Sequence, residues 1–253
     1  MAERNKIYFA SDFHMGSRAM DDPMAQERLI VQWLETVVKP DAKALYLLGD
    51  IFDYWWEYKY VVPRGFTRFL GKLGELHDSG IEIHWFTGNH DIWIFDYIPQ
   101  ETGAIIHREP LVLQLGDKRA YLAHGDGLGD DSAAFKILRS MFHNRFLQVL
   151  FAAIHPRWTM AFGLAWSRHS RTKREKANTP YLGEEKEHLI HYSKAYLKKD
   201  PVDYILFGHR HILLDLMLSR ESRMLIIGDW FEYNSYAVWD GEQFRLEIFG
   251  AEA

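Results

Sequence analysis

At 253 residues, with 47% hydrophobic and 26% charged side chains, the chain has the balance of a folded globular protein and leaves little room for long disorder. Its net charge of −5 speaks against a general nucleic-acid binder. There is no cysteine, which excludes disulfides and thiolate zinc sites and leaves His, Asp, Asn and Glu as the side chains able to hold a metal.

The N-terminus runs from Arg4 and Lys6 straight into an apolar stretch over residues 7–10, too short for the core of a signal peptide, so a cytoplasmic protein is expected. Residues 7–10 and 44–48 are short apolar runs ending in polar residues, the pattern of strands buried on both faces. Between them, Asp21-Asp22-Pro23 offers a cap and a first-turn proline, and Leu29, Ile30, Trp33, Leu34, Val37 and Val38 recur at helical spacing. Residues 66–77 repeat the helical pattern through Phe69, Leu70, Leu73 and Leu76; Gly80 breaks it, and residues 81–86 resume as a strand. From Ile105 onward the runs are shorter and hairpin-like: 111–115, 119–123, 204–207, 213–218, 224–227, 235–238 and 244–248. This order predicts one domain over residues 1–253, a four-layered α/β/β/α arrangement of two mixed sheets with helices outside. Residues 132–176 interrupt it as a helical, aromatic and basic insertion.

Five short motifs stand where strands end: Asp12-Phe13-His14, Gly49-Asp50, Gly88-Asn89-His90-Asp91, His124-Gly125-Asp126 and Gly208-His209-Arg210-His211. In α/β sheets such loops line the ligand crevice, so residues far apart in sequence can converge. On an extended backbone Asp12 and His14 point the same way, as do His209 and His211. The donors then count as Asp, His and His for one ion and Asn, His and His for another, with a shared carboxylate. Oxygen and imidazole donors suit Mn, Fe, Zn or Co better than calcium. Two ions about 3.5–4 Å apart acidify a water and stabilise the charges of an in-line phosphoryl displacement. Singly, Asp12 or Asp50 would more often be a cap or turn residue, His124 a satisfied histidine and Asn89 a turn former. The series of five, each after an apolar strand, carries the metal reading.

This series resembles the calcineurin-like metallophosphoesterase family over almost the whole chain outside the insertion. The resemblance implies the metallophosphoesterase sandwich, with Asp12, His14, Asp50 and His211 around a first ion and Asp50, Asn89, His124 and His209 around a second, Asp50 bridging. It places Asn89, His90 and His209 against the substrate, with His90 donating a proton or hydrogen bond and Asp91 orienting its ring. Two divalent ions are implied, with Mn²⁺ expected.

The insertion discriminates among substrates. Its large apolar residues, from Phe135 and Ile137 to Phe162 and Trp166, outnumber what a small helical excursion can bury, and Arg168, His169, Arg171, Lys173, Arg174 and Lys176 follow at once. Composition alone leaves two readings open, a seat for an acylated, phosphorylated amphiphile or membrane surface, and a helical cap with a solvated basic end. His124-Gly125-Asp126 through Asp130-Asp131, Leu147-Gln148 with Leu150-Phe151, and His169-Ser170-Arg171 through Ala177-Asn178 resemble the UDP-2,3-diacylglucosamine hydrolases of lipid A biosynthesis. That resemblance implies a lid over residues 132–176 holding acyl chains, attack of water on the α-phosphorus, and substrate contacts from Asp131, Ser170, Lys173 and Lys176. It implies a UDP-linked acylated sugar as substrate, peripheral contact with the cytoplasmic face of the inner membrane, and no nucleic-acid or obligate protein partner. One position departs: the best-known branch of those hydrolases has Arg after the metal-binding Asn, where this chain has His90, as in the wider phosphoesterases. The rival readings are a phosphodiesterase or nucleotide hydrolase of another substrate, and a non-catalytic scaffold. Gly228-Asp229-Trp230 is expected at the rim of the site.

Overall fold

The computed structural model describes residues 4–17, 20, 22–129, 133–177, 181 and 183–250, with the side chains of 133–135 and 168–177 not described. Its strands are β1 (Lys6–Ala10), β2 (Ala42–Leu47), β3 (Glu82–Phe86), β4 (Ile105–His107), β5 (Leu111–Leu115), β6 (Lys118–Ala123), β7 (Tyr204–Phe207), β8 (Leu213–Met217), β9 (Arg223–Ile227), β10 (Ser235–Trp239) and β11 (Phe244–Ile248). They form two sheets, one ordered β11-β10-β1-β2-β3-β4 and the other β5-β6-β7-β9-β8. Strands β1 to β4 run parallel in the first, and β6, β7 and β9 run parallel in the second.

Period-two alternation sorts the side chains of these central strands into different cores. Tyr8, Ala10, Leu45, Leu47 and Ile83 face a helix layer, whereas Phe9, Ala44, Tyr46 and Phe86 face the second sheet. There they meet Leu122, Leu206, Leu225 and Ile227, whose neighbours Tyr121, Ile205, Phe207, Met224 and Ile226 turn to the opposite face. The helices that cover the first sheet are α1 (Pro23–Trp33), α2 (Thr67–Asp78) and α3 (Tyr97–Thr102). Helices α4 (Ala133–His143), α5 (Arg145–Ala152) and α6 (Pro156–Ala177) follow, and α7 (His188–Leu197) covers the second sheet through Leu189 and Ile190. The expected α/β/β/α order of layers is therefore what the chain adopts.

Helix α1 starts as its sequence predicts, with the Asp22 carboxylate accepting from the Met24 and Ala25 amides and Pro23 at the first position. Its continuation is different: residues Leu34–Val38 form a π-helix, with both Leu34 and Val38 fully buried. The second sheet differs too, because the later strands are not all hairpins. β6 and β7 are parallel and joined through α4 to α7, and β8 intervenes between the parallel pair β7 and β9. Helix α7 escapes a sequence reading because its short apolar stripe lies between the charged residues 184–187 and 198–200. Helices α4 to α6 occupy the region of the expected insertion. They pack on Tyr54, Trp56, Ile92 and Trp93 through Phe142, Phe151, Met160 and Leu164. At Gly163 of α6 a Cβ would overlap the Tyr54 ring, so glycine is what lets the helix seat there.

Phe13 anchors the first motif to this framework. Its ring is fully buried between Trp33, Phe69 and Trp230, all edge-on, so the residue between Asp12 and His14 points inward while they face the cleft. Phe13→Ala is expected to cost about 3–5 kcal/mol in denaturant unfolding, as for other large core truncations; a loss below about 1 kcal/mol would contradict this anchoring role.

Candidate metal centre

All five motifs follow directly on parallel strands, Asp12, Asp50 and Asn89 on β1, β2 and β3 of the first sheet, His124 and His209 with His211 on β6 and β7 of the second. Backbone bonds continue the ladders past the strand ends, Asp12 N–H to Gly49 O at 3.1 Å, His14 N–H to Asp50 O at 2.9 Å and Gly208 N–H to His124 O at 3.0 Å. The two sheets are laced together here. The His209 amide donates to Asp12 Oδ2 at 2.8 Å, and His124 Nδ1 donates to Leu48 O at 2.8 Å. Gly208 makes the close approach possible, since a Cβ there would overlap Ser11 Oγ and Asp12 Oδ2.

Asp12 and His14 do converge, His14 Nε2 lying 3.6 Å from Asp12 Oδ1, whereas His209 and His211 part to different clusters, and none of the four is aimed by alternation along extended backbone. Their φ angles are 55°, 44°, 65° and 54°, and Asp50 is at 53°. Each sits in the left-handed region, which costs a non-glycine residue about 1–2 kcal/mol. The turn after the strand, rather than the strand pleat, aims these side chains.

The result is two linked clusters. In the first, His14 Nε2 and His211 Nε2 lie 3.1 Å apart, and His211 Nε2 is 3.2 Å from Asp12 Oδ1. In the second, His124 Nε2 is 3.3 Å from Asp50 Oδ2, from Asn89 Oδ1 and from His209 Nδ1. His14 Nε2 is 3.7 Å from the same Asp50 oxygen, so that carboxylate faces both clusters. Donors held about 2.0–2.2 Å from one ion stand roughly 3.0–3.5 Å from each other, which these spacings match. Asp12 Oδ1 and Asp50 Oδ2 are buried with no hydrogen-bond donor, which fits a cation as their missing partner.

The electrostatics agree. Burial alone would raise both carboxyls, but His211 and His14 beside Asp12, and His124 and His90 beside Asp50, hold them well below the usual carboxylate range. For His124, burial works against protonation, yet Asp50 overrides it and pushes the ring up to about 10. Two fully buried anions thus attract positive charge to the nitrogen and oxygen atoms that face each other.

Further acidic groups stand behind these side chains. His211 Nδ1 lies 3.1 Å from Asp229 Oδ2, on the turn after β9, and His14 Nδ1 is 3.8 Å from Asp53 Oδ1. Gly228-Asp229 repeats the Gly49-Asp50 signal of a Gly-Asp pair after an apolar strand, which raises it from a rim residue to part of the site. Asp53 carries no comparable signal. His90 Nδ1 donates to the Asp53 carbonyl at 2.8 Å, with Ser167 Oγ of α6 at 3.3 Å. Asp91 therefore does not orient the His90 ring. Its carboxylate accepts from the Ile51 and Gly88 amides at 2.9 and 2.7 Å, and burial together with Asp50 raises it to about 7. Asp131 lies outside the described residues, as do the side chains of Ser170, Lys173 and Lys176 on α6.

Beside Asn89 and His90 opens a cavity of about 540 Å³, walled chiefly by Trp93, Phe142, Leu150, Phe151, Ile154 and Phe162. A conserved-family model described as calcineurin-like phosphoesterase matches residues 5–213, which include all five motifs. The chain belongs to the calcineurin-like phosphoesterase family. Curated relatives include a UDP-2,3-diacylglucosamine hydrolase of Porphyromonas gingivalis, 47% identical over 96% of this chain and 97% of that protein. Proteins of the same name from Neisseria meningitidis serogroup B (24% identical, 91% of each chain) and Haemophilus influenzae (26% identical, 88% of this chain and 90% of that one) are similar as well. Family membership makes the chain a metal-dependent hydrolase that uses divalent ions. Exhaustive dialysis against a chelator is expected to abolish hydrolysis of an aryl phosphodiester, and divalent ions to restore it; undiminished activity without ions would contradict this. Gly208→Ala is expected to lower metal affinity roughly 10–100-fold, the usual effect of disturbing what supports a ligand, while circular dichroism stays native.

Proposed function

We propose that the chain hydrolyses the diphosphate of UDP-2,3-diacylglucosamine, water attacking the α-phosphorus to release UMP and 2,3-diacylglucosamine 1-phosphate. The observation that carries this reading is the joining of two clusters of metal-binding type to an apolar cavity of about 540 Å³ at Asn89 and His90. Such a volume lies within the range of ligand pockets, and its apolar walls suit acyl chains rather than a nucleic acid or a sugar. The name carried by the Porphyromonas gingivalis relative supports the same substrate.

In this reading Asp12, His14, Asp50 and His211 hold one ion, and Asp50, Asn89, His124 and His209 the other. When bound, the pair supplies an acidified water and stabilises charge on the phosphoryl oxygens. Mn²⁺ suits the mixed oxygen and imidazole donors. Asp229 fixes the ring of His211 and the Leu48 carbonyl that of His124, while Asp53 Oδ1 stands 3.8 Å from His14 Nδ1. His90, its Nδ1 engaged by the Asp53 carbonyl, keeps Nε2 for the phosphoryl or leaving oxygen. The sugar phosphate leaves as an anion, so His90 has only to place a proton or hydrogen bond on it. The α4 to α6 helices serve as a lid that excludes water around the acyl chains, and Ser167 ties that lid to His90.

The lid's outer face supports peripheral contact with the inner membrane. Phe146 and Trp158 are 69% and 67% exposed, Val149 and Ile137 are exposed as well, and Arg145 and Arg157 adjoin them. No helix among the described residues is long and apolar enough to cross a membrane.

Release of UMP from UDP-2,3-diacylglucosamine, measured beside hydrolysis of an aryl phosphodiester with Mn²⁺, tests the assignment; activity on the aryl ester alone defeats it. Asp50→Asn and Asn89→Ala are expected to abolish both activities, and His90→Ala to lower kcat roughly 10²-fold. Phe162→Asp is expected to raise KM for the lipid substrate while sparing the aryl ester.

A further inference from the structure

We propose that a second, polar cavity beside His124 seats the nucleoside half of the substrate, which no residue discussed so far contacts. The inference rests on the substrate reading above and extends it to the side of the α-phosphorus that stays with UMP, opposite the departing sugar phosphate. This cavity, of about 270 Å³, is lined by His107, Arg108, Glu109, Asp126, Arg139 and Tyr192, together with His124 and Gly125. It shares no lining residue with the apolar cavity, and the two reach the metal centre at different residues, Asn89 and His90 for one and His124 for the other.

The connectivity of a UDP-linked acylated sugar divides it in the same way. The ribose 5′-oxygen is bonded directly to the α-phosphorus, so the nucleoside has to lie next to the centre where that phosphorus reacts. The acyl chains are more distant, reached through the β-phosphate and the glucosamine. The polar cavity touches a histidine of the centre and offers what a nucleoside needs. Arg108 and Arg139 supply donors for base carbonyls, and Glu109 and Asp126 supply acceptors for ribose hydroxyls. The His107 ring, stacked on Phe86 at 4.6 Å between centroids, gives a flat surface beside them. Arg108 is already held by the Ile92 and Ile94 carbonyls. Arg139, on α4, pairs with no carboxylate among the described residues. It therefore joins the lid to the nucleoside, as Ser167 joins the lid to His90, so the same three helices would contact both halves of the substrate.

Titration calorimetry of UMP and of orthophosphate into the Mn²⁺-loaded protein tests the site, because both ligands share the phosphate and only one has the nucleoside. The expected result is UMP binding at least about tenfold tighter than orthophosphate, with that preference falling about tenfold in Arg139→Ala and partly kept in Arg139→Lys, a change typical of one charged hydrogen bond. Glu109→Gln gives an independent second variant. A UMP affinity no better than that of orthophosphate, or a preference unchanged in both Arg139→Ala and Glu109→Gln, overturns the proposal. Should the wild-type protein fail to release UMP from UDP-2,3-diacylglucosamine yet show the Arg139-dependent preference, the lipid substrate is wrong and the nucleotide site stands.

Discussion

Two ionised carboxylates, Asp12 and Asp50, are buried together at the seam of the two sheets, and each keeps one oxygen without a hydrogen-bond donor. Buried anions of this kind are costly unless positive charge meets them. Much of the local structure answers that demand. The left-handed turns, the histidines facing the same two oxygens and the Asp229 and Leu48 acceptors behind those histidines all serve to bring cation-binding atoms to one place. The sandwich in turn makes the turns affordable, because their strain is borne by strands whose side chains are packed on both faces.

Around this charged centre the polarity of the surroundings is divided. On one side the α4 to α6 helices and the Trp56 to Trp93 region build apolar walls, and near His124 the lining is charged and aromatic. A metal centre of this type is indifferent to what hangs from the phosphoryl group. In the proposed reading the choice of substrate falls to these two linings, and chiefly to helices joined to the sandwich, beside their apolar packing, by hydrogen bonds that among the described residues include Tyr58 to Thr159, Trp93 to the Phe142 carbonyl and His90 to Ser167.

The layers are readable from sequence because buried parallel strands leave apolar runs and their ends leave abrupt polar residues. The metal-type residues are readable for the same reason: each motif stands at such an end. What escapes is whatever depends on the path of a turn. Positive φ at Asp12, His14, Asp50, His209 and His211 has no sequence mark of its own, so strand alternation does not foretell where these side chains point, and His209 and His211 turn to different clusters. Asp91 escapes because its carboxylate has closer backbone donors than its neighbour's ring. Asp53 acts on His90 through a carbonyl, which every residue owns and none advertises. The aromatic excess of α4 to α6 is plain in composition, but which of those side chains bound a cavity and which face outward is settled only by the crossing of three helices.

The division of the proposed ligands between the sheets has a mechanical consequence. Asp12, Asp50 and Asn89 follow strands of one sheet, and His124, His209 and His211 follow strands of the other. An ion shared among them acts as a cross-link between the two halves of the sandwich, in a chain that has no cysteine to make one covalently. Loading with metal would then fasten the seam at its open end, beside the His209 amide to Asp12 and His124 to Leu48 hydrogen bonds that already join the sheets there.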